Sequence, residues 1–518
     1  MPCKPLRSAT RFLYCTPVLC YNYREQMFNY DFSSKRARLA LRFFTYGVMT
    51  VASVVLTALL VLVALGYRLD KDFTFSQGGL VQFRSVPSTA AITIDGKKQD
   101  FNTPNKANLG AGQHSFGMEL KGYHAWTKTT DLAPGQLLWL NYARMIPTTV
   151  TTTTLKEYPA IVSTLPSPDR RWLMMQLTTN TPDFTLVDYS DEKKPVYTPL
   201  QLPAELFTKR DGKYGTFSVV EWDLQSKYVL VRHENDGVTE FARIDRSKPA
   251  DAVNLTKLFS LNIKQAHFSG SGANTIFAKT DDVLRKLEVN GPTASAALVT
   301  GIRDFTVYGE DTIAFTNVTE KLTGDQATSE QLVGVFKGGK IAQVREFKAD
   351  AKLKLAYSEY DNHSYLAITD VATSKVEVVR DATATGSSKQ ASLFAEFDLG
   401  ATTDYLTFSS NGRMVIAQHG NKFATYDIET AKTYNKTLDF GSDKTAELKW
   451  LDDYYLYSDD GGKLRIFEFD GTNEHELANV AAGHEVMLSA NGKRLLSVGK
   501  NATSGVFLLQ ASSLSLEN

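Results

Sequence analysis

The chain has 518 residues, 43% hydrophobic and 22% charged, with 57 basic residues against 57 acidic ones. That is ordinary globular composition in a chain too long for one domain, and a zero net charge gives no whole-chain reason to expect nucleic acid as a partner. The charge is nevertheless uneven: residues 1–42 hold eight basic and two acidic residues, a net +6 that leaves −6 on the remainder.

From Phe43 to Tyr67 there are 25 residues without a charge, rich in Val, Leu and Ala. At about 1.5 Å per helical residue such a run crosses a hydrocarbon layer of about 30 Å. Phe43, Phe44 and Tyr46 at one end and Tyr67 at the other suit the two interfaces. Lys35, Arg36, Arg38 and Arg42 crowd the N-terminal flank, while Arg68, Asp70, Lys71 and Asp72 nearly cancel on the other. The positive-inside rule then predicts a signal anchor with residues 1–42 as a cytoplasmic basic tail, 43–67 as the transmembrane helix and the rest extracytoplasmic. The apolar run is longer, and begins later, than a cleaved signal peptide would have it. Cys3, Cys15 and Cys20, all the cysteines of the chain, lie in the tail, so the exported part cannot hold a disulfide. They lack a paired C-x-x-C spacing and read as ordinary thiols, and the short apolar stretch Phe12–Cys20 reads as a segment lying at the membrane surface.

Within a domain expected over 68–147, residues 79–147 read as short strands with firm turns. His114, Phe116, Met118 and Leu120 alternate with Ser115, Gly117, Glu119 and Lys121, the period of a half-buried strand, and Ala91–Ile94 is a second β-rich run closed by Asp95-Gly96. Val86-Pro87, Ala90, Ile94-Asp95-Gly96, Thr103-Pro104, Gly112, His114 and Gly122-Tyr123 together resemble the PEGA domain of bacterial surface proteins, with Pro87-Ser88-Thr89-Ala90 in place of the naming tetrapeptide. The resemblance implies a small β-sandwich outside the cell and no catalytic residue.

Pro147 and the threonine-rich run Thr148–Thr154 mark a boundary, either a linker or the first strand of the next domain. Beyond Tyr158 helical periodicity is nearly absent, save for short turns expected near Ala204–Phe207 and Ala391–Phe397. A weak repeat replaces it. One landmark is a polar turn leading into an apolar strand, as in Ser167–Trp172, Ser409–Met414 and Ser489–Arg494, with weaker copies before Tyr228, Thr275, Thr312, Leu353 and Tyr454. The other is a strand ending in aspartate: Phe184–Asp188, Phe241–Asp245, Leu366–Asp370 and Phe423–Asp427. Eight anchors from Trp172 to Leu495 give about 46 residues per unit, the size of a four-stranded propeller blade. The pattern resembles WD-repeat-like and Tol-type propellers of bacterial exported proteins, although no Trp-Asp dipeptide recurs and Trp222-Asp223 precedes a strand. The expected fold is therefore an all-β ectodomain, a PEGA-like sandwich plus a seven- or eight-bladed β-propeller over 148–518, behind one transmembrane helix; a β-sandwich array is the alternative for the large part.

Motifs of chemistry are few. The eight histidines (114, 124, 233, 267, 363, 419, 475 and 484) are scattered singly and read as surface or loop residues; His484-Glu485 starts an H-E-x-x-H zinc motif and goes no further. No G-x-S-x-G elbow occurs. Gly334–Lys340 matches the start of a phosphate loop, but Ile341 stands where a hydroxyl is needed, so a lysine-bearing hairpin turn is the better reading. Asp452, Asp453, Asp459 and Asp460 read as two turns flanking one strand rather than a calcium site. Sequons at Asn254, Asn317, Asn362, Asn435 and Asn501 mark expected surface turns. No catalytic, cofactor-binding or metal-ligating residue is assigned.

These features predict a non-enzymatic, membrane-anchored binding or scaffold protein of a bacterial cell envelope, docking a protein or cell-wall polysaccharide on its propeller, with the lipid bilayer as its other partner. The alternative is a cell-surface hydrolase whose carboxylates converge at the mouth of the propeller channel.

Overall fold

The computed structural model describes residues 35–64, 67–69, 75–323, 326–383, 391–440 and 447–516. The three cysteines and the Phe12–Cys20 stretch fall outside them.

An α-helix, α1 (Lys35–Ala64), carries the apolar run. Its stretch Leu39–Leu62 is long and apolar enough to cross a membrane, and none of it is buried against the rest of the chain. Its threonine hydroxyls are satisfied internally: Thr45, Thr50 and Thr57 each donate to the carbonyl four residues back, at 2.8 Å. The helix stops before the expected boundary, and Tyr67 opens a short strand, Tyr67–Leu69, instead of closing the helix.

That strand joins the first sheet of a β-sandwich. One sheet holds Tyr67–Leu69, Phe75–Val86, Asn105–Gly110 and Leu137–Arg144; the other holds Lys97–Asn102, Ala91–Ile94, Gly112–Glu119 and Trp126–Leu132. The alternation in 112–120 behaves as expected, with Phe116 and Met118 buried and Ser115 and Glu119 exposed. They pack with Val81, Phe83, Ile92, Trp126, Leu132 and Leu140 into one core.

The rest of the chain forms eight four-stranded antiparallel blades among the described residues. Seven run through 163–199, 216–254, 263–294, 302–348, 353–398, 405–437 and 449–479. The eighth takes three strands from 487–513 and its outer strand from Thr152–Tyr158, which pairs antiparallel with Phe507–Ser513. The end of the threonine-rich run is thus the first strand of the propeller, not a linker, and it is the clasp that ties the beginning of the ring to its end. Each blade buries both faces against its neighbours. Phe184 and Trp222 join blades 1 and 2, Phe277 and Phe315 join blades 3 and 4, Phe423 and Phe467 join blades 6 and 7, and Leu173 and Leu496 close blade 8 onto blade 1. Each such side chain removed from water contributes about 1.5–3 kcal/mol.

The turn landmarks fall before the second strand in seven blades. Blade 5 is out of phase: Leu353 opens its first strand, Leu353–Tyr360, and Leu366–Asp370 ends its second rather than its third. Leu353–Tyr360 packs beside the innermost strands of blades 4 and 6, so the repeat there has slid one strand inward. The Asn-Gly turn of blade 6 shows why the landmark exists. Gly412 has φ +76°, and a Cβ there would fall 2.5 Å from Ser358 Oγ and strike the Glu359 carbonyl on blade 5. Two local expectations fail: Ser392–Asp398 is the outer strand of blade 5 rather than a turn, and a five-residue helix, α2 (Leu255–Phe259), is capped by Asn254 accepting from Lys257 N.

Candidate functional site

Antiparallel blades put the turns between first and second strands, and between third and fourth, on one face of the ring. The sandwich sits on that face over blades 6–8. Arg144 donates to Asp452 (2.7 Å) in blade 7 and to the Gly492 carbonyl (3.0 Å) in blade 8, while Asp131 lies 4.0 Å from Lys432 of blade 6. Tyr142 stacks on Tyr454 with centroids 4.6 Å apart and planes at 15°.

A buried charged cluster lies at the centre of this contact. Lys128 of the sandwich has 6% side-chain exposure and pairs with Glu468, which has none. Its ammonium also donates to Asp470 and Thr472 Oγ1, each at 2.7 Å. Glu468 accepts from the Trp126 indole N–H, from Tyr455 OH (3.0 Å) and from Asn473 Nδ2 (3.0 Å). Burial works hardest against the Lys128 charge, but the Glu468 and Asp470 carboxylates outweigh it and hold the ammonium above its ordinary range. Beside this cluster the His124 and His475 rings lie 5.0 Å apart. Burial, and then the His124 ring, press His475 down to about 4.

The sign of the pH effect follows. The folded chain keeps His475 neutral until about pH 4, whereas the unfolded chain takes up its proton near 6.5. The stability this residue contributes is therefore full above pH 6.5 and shrinks as the pH falls toward 4. Melting at pH 7 and pH 5 should show a smaller loss for His475→Gln than for the unsubstituted protein; equal losses would reject the assignment.

On the same face, beside the sandwich, the seam of blades 5 and 6 opens into a recess of about 520 Å³. Tyr360, Asp361, His363, Tyr365, Arg380 and Phe394 of blade 5 line it, with Ile428 and Glu429 of blade 6. Tyr360 OH donates to Glu429 (2.7 Å), and Glu429 is held by Arg413 (2.5 Å), which also grips Asp427. His363 Nδ1 lies 3.0 Å from Asp381. These residues come from separated strands and turns, and no sequence spacing pointed to them.

The residues singled out in the sequence are mostly turn-makers. Asp452 and Asp453 lie at one end of Tyr455–Ser458 and Asp459 and Asp460 at the other. Asp452 caps its own turn by accepting from Tyr454 and Tyr455 N, and Asp459 accepts from Gly483 N at 2.6 Å. Gly338 and Gly339 form a two-residue hairpin between Lys337 and Lys340, both with positive φ. Five histidines pair with a carboxylate: His114 with Asp95, His233 with Glu240, His267 with Glu221, His363 with Asp381 and His419 with Asp404. The reading of every histidine as a surface or loop residue fails for His233, which is fully buried, and for His484. Asn254 and Asn317 are likewise buried within strands, so those two sequons are not surface turns.

A PEGA domain model matches residues 79–145. That stretch of the chain is a PEGA domain. No curated protein matches the chain. Among solved structures, Kluyveromyces lactis Hsv2 is similar with 12% identity and a TM-score of 0.38, over 70% of this chain and all of that one. Porphyromonas gingivalis dipeptidyl peptidase 4 is similar with 11% identity and a TM-score of 0.45, over 67% of this chain and 57% of that one. The tricorn protease is similar with 12% identity and a TM-score of 0.38, over 75% of this chain and 42% of that one. The expectation of a non-enzymatic protein is corrected here, since proteins named as peptidases stand among the structures this chain resembles.

Proposed function

We propose that the chain is a membrane-anchored docking protein of the cell envelope, with residues 1–42 cytoplasmic and the PEGA domain and propeller outside, presenting partners with the propeller face that carries the PEGA domain. The observation that carries this reading is the pairing of an apolar helix that is not buried among the described residues with a sandwich fixed to the ring by a buried ion-paired contact. The first supplies an anchor and the second a rigid platform, and propeller faces suit recognition because their loops project from a braced scaffold. The basic N-terminal flank supports the orientation.

A hydrolase at the channel mouth is the second reading. One observation favours it: burial, and then the neighbouring Asp452, push the Asp453 carboxyl upward, as for a general acid.

The test is protease shaving of intact cells carrying a C-terminally tagged chain, followed by capture of envelope proteins and wall polymer on the full-length protein in detergent. The docking reading expects the tag to be clipped and a stoichiometric partner retained. A protected tag, or substrate turnover abolished by Asp453→Asn with nothing retained, would overturn it.

A further inference from the structure

Arg380 is the most informative group in the recess between blades 5 and 6. It ends the third strand of blade 5, and its guanidinium lies 5.2 Å from the Phe394 ring centroid. Its Nε is buried without a hydrogen-bond partner, while the same guanidinium reaches the Tyr365 hydroxyl. A buried N–H donor left unmade is destabilising, so a site retaining one is short of an acceptor. Neighbouring carboxylates are committed elsewhere: Glu429 to Arg413 and Tyr360, Asp381 to His363.

The rest of the lining defines what that acceptor belongs to. Phe394 and Tyr365 stand edge to face with centroids 5.3 Å apart, and Tyr360 flanks them. Such rings offer flat apolar surface to the C–H face of a pyranose. Asp361, Glu429 and the His363–Asp381 pair surround the rings with acceptors suited to hydroxyl groups. These acidic groups also repel a ligand carrying several negative charges, which disfavours a polyphosphate. One cation, aromatic platforms and a ring of hydroxyl acceptors match a sugar with a single carboxylate. The volume lies within the roughly 300–1,000 Å³ common for small-ligand sites, room for one or two sugar rings.

We propose that the recess binds a carboxylate-bearing saccharide, with Arg380 receiving the carboxylate and Phe394 and Tyr365 the ring face. This inference rests on the docking reading and names the class of partner its face takes. The test uses the full-length protein in nanodiscs, titrated with galacturonate, neutral galactose, inorganic phosphate and an acetylated dipeptide with a free C-terminus. Saturation-transfer NMR reports which protons are touched, and calorimetry gives the affinities. Galacturonate should bind at least tenfold more tightly than galactose. Arg380→Gln should abolish that preference, and Phe394→Ala should weaken both sugars about fivefold, with both variants melting like the unsubstituted protein. Should Arg380→Gln misfold, Phe394→Ala and the acid-to-neutral ratio still decide the matter. Equal binding of the two sugars, no transfer to sugar protons, or tighter binding of phosphate or dipeptide would overturn the proposal. Failure here, with the tag still clipped on intact cells and an envelope partner retained, rejects the saccharide and leaves the docking reading standing.

Discussion

Lys128→Met should detach the PEGA domain from the ring. The substitution keeps the length and apolar stem of the side chain but leaves Glu468, with no side-chain exposure, facing an uncharged partner beside Asp470. Breaking a buried pair from one side typically costs about 3–5 kcal/mol, because the surviving charge stays in the dry site. The contact holds two separately cored units together, so the loss should show as a separate, lower melting step and as new proteolysis within Trp126–Leu132. Adding Glu468→Gln to Lys128→Met should recover more than half of the loss, since an amide can still accept from Trp126, Tyr455 and Asn473 while carrying no charge. A single variant that stays within about 1 kcal/mol of the native protein would show that Tyr142 on Tyr454 and Arg144 on Asp452 hold the contact without the cluster.

A second large effect is expected at the clasp. Replacing residues 152–158 by a Gly/Ser segment of equal length keeps the connection but removes the outer strand of blade 8. Six ladder positions, from Thr152 opposite Ser512 to Tyr158 opposite Phe507, lose their partners. At about 0.5–1.5 kcal/mol per hydrogen bond, with roughly one bond per position, the loss is roughly 3–9 kcal/mol. Tyr158 also leaves the seam it shares with Leu173, Val187 and Leu509. The bared edge of Phe507–Ser513 then invites pairing with other chains. Calorimetry should show a broad, early transition, and light scattering should show association; a sharp transition within a few degrees of the native one would reject the clasp.

What could be read in the sequence was whatever repeats locally. The alternation around Phe116 and Met118, the Asp95-Gly96 turn, the Ser-Ser-Asn-Gly turn before Met414 and the strands ending in aspartate each report a conformation set by near neighbours. Their spacing fixed the blade size and favoured eight units. Blade 5 falls out of phase with the others because a turn signal marks a hairpin without saying which hairpin of the blade it is. The contacts that give the molecule its particular surface were not legible. Lys128 and Glu468 are far apart in the chain, and nothing local distinguishes this lysine from one facing water. Arg380, Phe394 and Glu429 likewise meet only because two blades pack side by side. His233 was misread for the same reason: its burial depends on Phe217 stacking against it from the adjacent strand.

The clasp also sets a timetable for biosynthesis. Thr152–Tyr158 leaves the ribosome before the seven other blades, yet the strand it must pair with, Phe507–Ser513, follows all of them. Seven blades therefore wait, unsealed, until Phe507–Ser513 has been made, and any product cut short upstream of Phe507 stays open. Chaperones that meet the nascent chain have to shield that half-made ring, and quality control has an unpaired strand by which to recognise the truncated ones.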